Sequence, residues 1–154
     1  MAELKVGARA PDFKLPTGDG TTLSLRDLKG KKVVLYFYPK DDTSGCTKEA
    51  CSFQENLSVL KKKGAVVVGV SADDVASHRK FAQKYGLTFP LISDDEKEIV
   101  KAYCVWKEKN MYGRKYMGIE RTTFIIDEQG RIAQIFPKVK VDGHVAEVLQ
   151  ALNG

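Results

Sequence analysis

Apolar runs and amphipathic segments alternate along this chain of 154 residues. Residues 32–38 form a nearly continuous run of β-branched and aromatic side chains, the pattern of a central strand covered on both faces. Residues 65–71 have the same character and predict a second buried strand. Between the two runs, apolar positions recur at intervals of three and four residues, which is the helical period. The pattern therefore predicts a strand, a helix and another strand in succession.

The amphipathic segment between those strands predicts one helix from Thr43 to Gly64. Lysines 61–63 precede the glycine, and cations followed by glycine suit the negative end of a helix. The apolar stripe of this helix consists of Cys46, Ala50, Phe53, Leu57 and Leu60. We expect this stripe to face the core, whereas Cys51 falls on a polar flank.

Shorter patterns predict the remaining elements and the fold class. In chain order they are a hairpin of residues 10–15 and 21–25, a helix from 73–74 to 85, a strand of 89–92, a helix of 95–103, an aromatic and basic loop of 106–116, a hairpin of 122–126 and 131–136, and a helix of 143–152. This order favours an α/β, thioredoxin-like fold: a mixed central sheet flanked by helices, with the N-terminal hairpin at a sheet edge. At this length we expect a single domain spanning residues 1–154.

Composition and charge exclude several classes of protein. Hydrophobic residues make up 43% and charged residues 29% of the chain, as in an ordinary globular domain, and the net charge of +5 is dispersed. Residues 106–116 mix aromatic and basic side chains as single-strand binders do, but Glu108 and Glu120 dilute the charge, so we expect no nucleic-acid partner. The sequence has neither a membrane-length apolar stretch nor an apolar leader after Met1, so we expect no membrane partner and a cytoplasmic location.

The three cysteines are too few, and odd in number, for a disulfide scaffold. The close pair Cys46 and Cys51 favours a catalytic or metal-binding role in a reducing compartment. His78 and His144 belong to no Cys/His cluster with metal-ligand spacing, so we expect no metal and interpret both as solvated helix residues. We expect Cys104, at a predicted helix end, to be a buried spectator.

Cys46 lies where a strand passes into a helix. Pro39 closes the strand, and Thr43 can act as N-cap, which makes Cys46 the third helical residue. We expect the Thr43 oxygen to accept a hydrogen bond from the Cys46 amide. The positive end of a helix favours an anion, so we expect Cys46 to be a thiolate, which is the nucleophilic form of cysteine.

The spacing of Cys46 and Cys51 has a conformational consequence. Five helical residues rise about 7.5 Å and rotate about 140°, which places the two Cα atoms about 8.6 Å apart. A disulfide requires less than about 7 Å between Cα atoms. A bond between these two cysteines therefore requires the start of the helix to unwind.

The residues around Cys46 resemble a known family. Residues 39–46 resemble the peroxiredoxin signature of Pro, three residues, Thr, two residues and Cys. Residues 43–51 and 118–127 are similar to those of its peroxiredoxin Q, or bacterioferritin comigratory protein, branch, and the resemblance spans nearly the whole chain. It implies a thioredoxin-like fold and a monomeric thiol peroxidase without a cofactor. Such an enzyme reduces hydrogen peroxide and organic hydroperoxides and is usually recycled by thioredoxin.

The resemblance also implies individual roles. Cys46 matches the peroxidatic cysteine and Cys51 the resolving cysteine, so the implied intermediate is an intrasubunit disulfide between them. Thr43 and Arg121 match the polar residues that hold the peroxide, and Pro39 matches the residue that shields the thiolate.

Each supporting residue also has a simpler interpretation. Thr43 can be a helix cap alone, and an arginine such as Arg121 is usually on the surface. Glu49, one turn after Cys46, can hydrogen-bond within the site, although a Glu in a first helical turn is favourable in any case. Gly45 lies within the signature, so we also expect it to support the site around Cys46.

Two other functions use the same cysteines. A redox-sensing or holdase protein could switch conformation with this disulfide, but it would not require Thr43 and Arg121. A thioredoxin-like disulfide reductase would have two residues between its cysteines, and that spacing is absent here.

Overall fold

Five strands form the central sheet in the computed structural model, which describes residues 4–153. Residues 1–3 and 154 lie outside the described residues. The prediction about an N-terminal leader falls partly on residues 1–3, and that part also lies outside them. The elements in chain order are β1 (Lys14–Pro16), β2 (Thr22–Ser24), β3 (Lys32–Phe37), α1 (Ser44–Glu55), α2 (Leu57–Lys62), β4 (Ala65–Ser71), α3 (Val75–Tyr85), β5 (Leu91–Ser93), α4 (Glu98–Ala102), β6 (Trp106–Met111), β7 (Arg114–Ile119), β8 (Thr122–Ile126), β9 (Ile132–Phe136) and α5 (His144–Leu152).

The central sheet has the strand order β5-β4-β3-β8-β9. Strands β3, β4 and β5 are parallel, whereas β8 and β9 join as antiparallel neighbours. The predicted mixed sheet, with β3 at its centre, is confirmed. Because β3 is covered on both faces, five of its six residues are buried, which explains its continuous apolar sequence.

Two apolar layers cover the sheet. The layer that contains α1, α2, α3 and α5 includes the whole predicted stripe from Cys46 to Leu60, and this prediction is confirmed. In this layer the ring of Tyr36 stacks on Phe53 with 4.7 Å between centroids, which fixes α1 against the sheet. The opposite layer is formed around Phe37, Tyr103 and Phe124.

Both predicted hairpins of the sheet periphery are present. Strands β1 and β2 pair as an antiparallel hairpin, and a bridge between Thr17 and Ile92 attaches it to the edge strand β5. The hairpin of β8 and β9 is likewise confirmed. Helix α3 has its predicted bounds because Asp74 caps its first turn and Gly86 ends it in a left-handed conformation.

The prediction of one helix from Thr43 to Gly64 was wrong, because α1 ends at Glu55 and α2 begins at Leu57. At the break, the Asn56 side chain donates to the carbonyl of Ser52 (2.8 Å), a local bond that competes with helix continuation. The apolar period continues across the break and so conceals it.

Other boundaries also differ from prediction. Strand β5 is Leu91–Ser93 instead of 89–92, and β1 is Lys14–Pro16 instead of 10–15. Helix α4 covers only Glu98–Ala102, because Lys97 is left-handed (φ 62°) and Asp94 accepts bonds from amides of the first turn. Residues 106–116 are not a loop: they lie in the antiparallel hairpin of β6 and β7. Its turn residues, Tyr112 and Gly113, both have positive φ, as a two-residue hairpin turn requires.

Within residues 4–153, none of the helices combines the length and the apolar character needed to span a membrane.

Candidate active site

Cys46 is the third residue of α1, as the sequence predicts, with Thr43 at the N-cap position. Its side chain is 1% exposed and belongs to the apolar layer that also contains Tyr36 and Tyr38. The helix start directs backbone N–H groups toward this region, and such groups favour a negative charge. The sulfur therefore lies in a water-poor environment at the positive end of a helix.

The predicted bond from the Cys46 amide to the Thr43 side chain is not made. Among the described residues the Thr43 hydroxyl makes no capping bond and instead donates to the backbone carbonyl of Lys40 (2.9 Å). The backbone of Thr43 nevertheless has the extended conformation usual for an N-cap residue (φ −94°, ψ 156°). This arrangement uses the proton of the hydroxyl and leaves its oxygen lone pairs available as acceptors.

Arg121 reaches the same region from the neighbouring strand of the sheet. It immediately precedes β8, whose first residue, Thr122, pairs with Phe37 at the end of β3. The antiparallel register therefore brings Arg121 beside the chain that leads into α1. Its carbonyl accepts a hydrogen bond from the amide of Val139 (2.9 Å), which holds the backbone in place.

The guanidinium of Arg121 contacts two residues of α1. Nη1 donates to Glu49 Oε1 at 2.7 Å, and Nη2 lies 3.4 Å from Cys46 Sγ as a donor. Gly45 permits this approach, because a Cβ at that position would lie 3.2 Å from Nη2. The structure thus brings together Gly45, Cys46, Glu49 and Arg121, four of the residues selected from the sequence.

Burial dominates the electrostatics of Glu49, whose side chain is 1% exposed. Desolvation raises the pKa of Glu49 to about 7, although the charge and hydrogen bond of Arg121 act in the opposite direction. Burial alone would lower the pKa of Arg121, but the negative charges of Glu49 and Cys46 outweigh it, so this pKa is raised. Arg121 is therefore a permanent cation beside the sulfur.

Tyr36 contributes a second buried polar group behind the sulfur. Its hydroxyl and Glu49 Oε2 are buried without a hydrogen-bond partner among residues 4–153. Burial, then the charges of Glu49 and Cys46, raise the pKa of Tyr36 well above its usual value, which keeps the phenol neutral.

Cys51 lies farther along α1, half-buried and outside the apolar cluster that contains Cys46, as predicted. Burial and the neighbouring Glu55 raise the pKa of Cys51, which favours the thiol. Both cysteines belong to the continuous helix Ser44–Glu55, so the structure does not bring their sulfur atoms together in the way that a disulfide requires.

Pro39 and Cys104 are two further positions that were interpreted from the sequence. Pro39 is half-buried and lies between the end of β3 and the Lys40 carbonyl that receives the Thr43 hydroxyl. Cys104 is half-buried, not fully buried, and has a left-handed backbone (φ 60°) after α4.

Sequence reasoning missed a second cation. Lys109 of β6 is half-buried, and its side chain packs over Gly118 of β7, where a Cβ would meet Lys109 Cδ at 3.2 Å. Burial and the nearby Arg121 lower the pKa of Lys109, while the charge of Cys46 opposes this shift. The pKa of Lys109 therefore depends on its electrostatic interaction with the site. The predicted aromatic and basic segment was the only signal for it.

The prediction that His78 and His144 are solvated was wrong, because both are buried. His144 Nε2 lies 2.8 Å from Thr123 Oγ1, and burial lowers the pKa of His144. His78 Nδ1 lies 2.7 Å from Asp41 Oδ2. Hydrogen-bond partners on distant elements compensate for the burial of both rings, and such partners leave no local pattern in the sequence.

One cluster has the spacing of metal ligands. Asp41, Asp73 and His78 present ligand atoms within 4.8 Å of one another. However, Asp41 Oδ2 also accepts from Ser77 Oγ (2.8 Å), and Asp73 Oδ2 accepts from Ser71 Oγ (2.7 Å). These contacts favour a hydrogen-bonded network over a metal centre.

The arrangement around Cys46 can support attack by a buried thiolate. The helix start and Arg121 supply positive potential, and the Thr43 oxygen can accept from a protonated substrate atom. The cationic fork of Arg121 is suited to stabilise charge that develops on an oxygen during bond cleavage.

Comparison with known proteins connects this site to a family. A model of the AhpC/TSA family matches residues 6–135. A putative peroxiredoxin bcp of Coxiella burnetii is 59% identical over 149 residues, which cover 97% of this chain and 99% of that protein. Peroxiredoxin Bcp of Bacillus subtilis is 49% identical over 150 residues, covering 97% and 96% of the two chains.

Solved structures agree with the sequence relatives. A mutant of PrxQ from Xylella fastidiosa superposes with a TM-score of 0.94 at 39% identity, covering 99% of this chain and 98% of that one. The bacterioferritin comigratory protein of Xanthomonas campestris, studied for alkyl peroxide reduction, has a TM-score of 0.90 at 44% identity with the same coverage. The predicted thioredoxin-like fold is thereby confirmed, and the chain belongs to the peroxiredoxins of the AhpC/TSA family, in the branch that contains Bcp and peroxiredoxin Q.

Proposed function

We propose that this protein is a thiol peroxidase that reduces hydrogen peroxide and organic hydroperoxides through Cys46. The observation that carries the proposal is the contact of Arg121 Nη2 with Cys46 Sγ at 3.4 Å, at the start of a helix. Family membership supports the reaction class, and the Xanthomonas relative studied for alkyl peroxide reduction supports organic hydroperoxides as substrates.

In the proposed first step, the Cys46 thiolate attacks the terminal peroxide oxygen. An S–O bond forms as the O–O bond breaks, and the leaving oxygen takes a proton to give water or an alcohol. Cys46 is oxidised to a sulfenic acid. Arg121 stabilises charge on the two oxygen atoms as they separate, and the Thr43 oxygen accepts from the peroxide O–H because its own proton is directed to Lys40. Pro39, before Lys40, shields the Cys46 thiolate from water.

In the proposed second step, Cys51 attacks the sulfenic sulfur. A Cys46–Cys51 disulfide forms and water leaves. The continuity of α1 through both residues supports a requirement for local unwinding, because an intact helix holds the two Cα atoms about 8.6 Å apart. The reaction would thus convert a wound helix start into an open, cross-linked segment.

The proposed third step is reduction of the disulfide by an external dithiol of the thioredoxin type. The unwound segment would expose the bond to this reductant. A cytoplasmic location is consistent with that requirement, and we propose that the protein works as a monomer because both cysteines lie on one helix of one chain.

A coupled assay tests the proposed function. Reduced protein, hydrogen peroxide, thioredoxin, thioredoxin reductase and NADPH are mixed, and NADPH consumption is followed. We expect peroxide-dependent consumption with the wild-type protein and none above background with Cys46→Ser, while Cys104→Ser stays active. Turnover by Cys46→Ser would show that another group is the nucleophile. Absence of turnover by the wild type, with disulfide formation retained, would favour the redox-switch function.

A further inference from the structure

A single peptide unit connects the Thr43 hydroxyl to the half-buried carboxylate of Asp73. The carbonyl of Lys40 accepts the Thr43 hydroxyl (2.9 Å), and the next amide along the chain, that of Asp41, donates to Asp73 Oδ2 (2.8 Å). Both bonds belong to the planar peptide between residues 40 and 41, so they share one orientation. Rotation of this peptide would break both bonds and redirect the Thr43 proton.

The Asp41 side chain holds that peptide from the other side. Its Oδ1 accepts from the Tyr38 hydroxyl (2.6 Å), and its Oδ2 accepts from Ser77 Oγ (2.8 Å) and contacts His78 Nδ1 (2.7 Å). Asp41 is 7% exposed and His78 is fully buried. The active-site loop is therefore fixed to α3 by a carboxylate with three polar partners.

The protons of this cluster follow from its acceptors. His78 Nε2 lies 2.9 Å from the carbonyl of Ile92, which can only accept, so Nε2 carries a hydrogen. Nδ1 faces a carboxylate oxygen, so a hydrogen is also needed between Nδ1 and Oδ2. His78 and Asp41 thus share an additional proton, as a charge-assisted hydrogen bond requires.

A second attachment lies one residue closer to the active site. Asp42 accepts from Lys84 Nζ (2.8 Å) and from the Tyr85 hydroxyl (2.6 Å), both on α3. Asp42 has a left-handed backbone (φ 57°), which costs conformational energy and must be held by its surroundings. Consecutive carboxylates therefore attach the loop to α3.

We propose that Asp41, Asp73 and His78 form a positioning anchor for the Thr43 hydroxyl, and that the anchor remains closed while the segment 44–51 unwinds. The proposal rests on the proposed peroxidase function. Its members lie on the loop before α1, on the loop after β4 and on α3, and none lies between Cys46 and Cys51. The anchor can thus survive the opening of α1 and act as the fixed end from which the helix rewinds after reduction.

The first test separates positioning from stability. Asp41→Ala removes three polar partners. Asp41→Asn retains an acceptor for Tyr38 and, because the shared proton is lost with the carboxylate, its amide can donate to an Nδ1 that no longer carries a hydrogen. Asp94→Ala is the matched control, because Asp94 is also buried and accepts from the amides of Glu98, Ile99 and Val100, away from Cys46. Two rates are measured: single-turnover oxidation of Cys46 by hydrogen peroxide, and alkylation of Cys46 by iodoacetamide, which does not use the Thr43 hydroxyl.

We expect Asp41→Ala to slow oxidation by peroxide about tenfold or more, since misorientation of a substrate-contacting group is costly. Alkylation should change by less than about twofold, because it depends on thiolate and access. Asp41→Asn should restore most of the peroxide rate, and Asp94→Ala should lower the melting temperature without a selective loss of peroxide reactivity. Equal peroxide rates for Asp41→Ala and Asp94→Ala, or equal losses in both reactions, would overturn the proposal.

A milder variant keeps the test informative if Asp41→Ala does not fold. Ser77→Ala removes one bond to Asp41 at a helical position that tolerates alanine. We expect a loss of about threefold in peroxide rate with unchanged alkylation. An unchanged peroxide rate would contradict the anchor. Failure of the proposed function is distinct, because the wild-type protein itself would then react slowly with peroxide.

Amide hydrogen exchange tests whether the anchor survives oxidation. The Asp41 amide donates to Asp73, and the Thr47 amide donates to the Thr43 carbonyl (2.8 Å) in the turn that must unwind. Between reduced and disulfide forms, we expect Thr47 exchange to accelerate at least about tenfold and Asp41 exchange to stay within about threefold. Equal acceleration at both amides would show that the anchor opens with the helix.

Discussion

Arg121 donates to Glu49 across 2.7 Å, and this buried contact sets the orientation in which the other terminal nitrogen of the guanidinium reaches Cys46. Glu49 lies on α1 and Arg121 precedes β8, so the pair also joins the helix to the sheet. Unwinding of α1 would separate the pair. The group that orients the cation in the reduced protein is thus carried by the segment that opens in the proposed cycle.

Removal of the cation should weaken the reaction with peroxide. We expect Arg121→Ala to lower the rate constant with peroxide about 100-fold, as loss of a charge-stabilising donor does. Stopped-flow oxidation gives this rate constant. Arg121→Lys keeps the charge but not the fork, so its rate constant should fall between those of the alanine variant and the wild type. An unchanged rate constant in Arg121→Ala would remove Arg121 from the site.

Glu49 should make the opening of α1 dependent on pH. Burial raises its pKa to about 7 in the wound helix, from 4.5 for an ordinary Glu side chain. The charged group that faces it is Arg121, and the Tyr36 phenol from β3 interacts with it electrostatically. Proton binding therefore stabilises the wound helix fully below about pH 4.5, and this stabilisation is lost as pH rises through 7.

Amide exchange within residues 46–51 of the reduced protein measures this effect, after correction for the intrinsic pH dependence of exchange. We expect the opening equilibrium to increase about tenfold or more between pH 4.5 and 7. The matched variant Glu49→Gln keeps the shape but cannot titrate, so its opening should vary less with pH. Identical pH profiles for the two proteins would show that Glu49 does not control unwinding.

Replacement of Gly45 by alanine should lower the activity and stabilise the helix. A Cβ at this position would lie 3.2 Å from Arg121 Nη2, so Gly45→Ala should displace the guanidinium by a few tenths of an ångström. Alanine is a better helix former than glycine by up to about 1 kcal/mol. We expect a several-fold slower reaction with peroxide, slower disulfide formation and an unchanged or higher melting temperature.

Thermal unfolding and single-turnover kinetics provide these quantities for Gly45→Ala. A large loss of thermal stability would mean that the tight approach of Arg121 tolerates no adjustment. Full activity would mean that the distance from Gly45 to Arg121 has no part in the reaction.

Loss of Cys51 should stop the cycle after its first step. We expect Cys51→Ser to consume about one equivalent of peroxide per chain and then to accumulate sulfinic acid on Cys46 at higher peroxide, because the sulfenic acid is not resolved. Intact mass spectrometry follows the added oxygen atoms. Sustained turnover with thioredoxin would instead show that Cys104 or an external thiol resolves the intermediate.

The parts of the fold predicted correctly are those with a strong local pattern. The continuous apolar run of β3 indicates a buried strand, and Asp74 and Gly86 indicate where α3 begins and ends. The hairpin of β6 and β7 was missed because its strands are largely exposed, so no alternation of buried and exposed residues marks them. The break at Asn56 was missed because one side-chain bond caused it and the apolar period did not change.

In the site, too, the features with a local sequence signal were predicted and those that depend on distant residues were not. The positions of Thr43 and Cys46 at the helix start were predictable because capping signals are local. The direction of the Thr43 hydroxyl was not predictable from the sequence. It depends on the peptide between residues 40 and 41, which is oriented by Asp73, 32 positions after Asp41. The contact of Glu49 with Arg121, 72 positions apart, follows only from the pairing of β8 with β3.

The proposed catalytic cycle depends on a disulfide between Cys46 and Cys51 that forms through local unwinding of α1. The most direct test treats reduced protein with one equivalent of hydrogen peroxide, maps linked peptides by mass spectrometry without reductant and records helicity by circular dichroism. We expect a Cys46–Cys51 link, absent from Cys51→Ser, together with a loss of about one or two helical turns. A peroxide-treated protein in which residues 44–55 remain fully helical and these two sulfur atoms are not linked would contradict it.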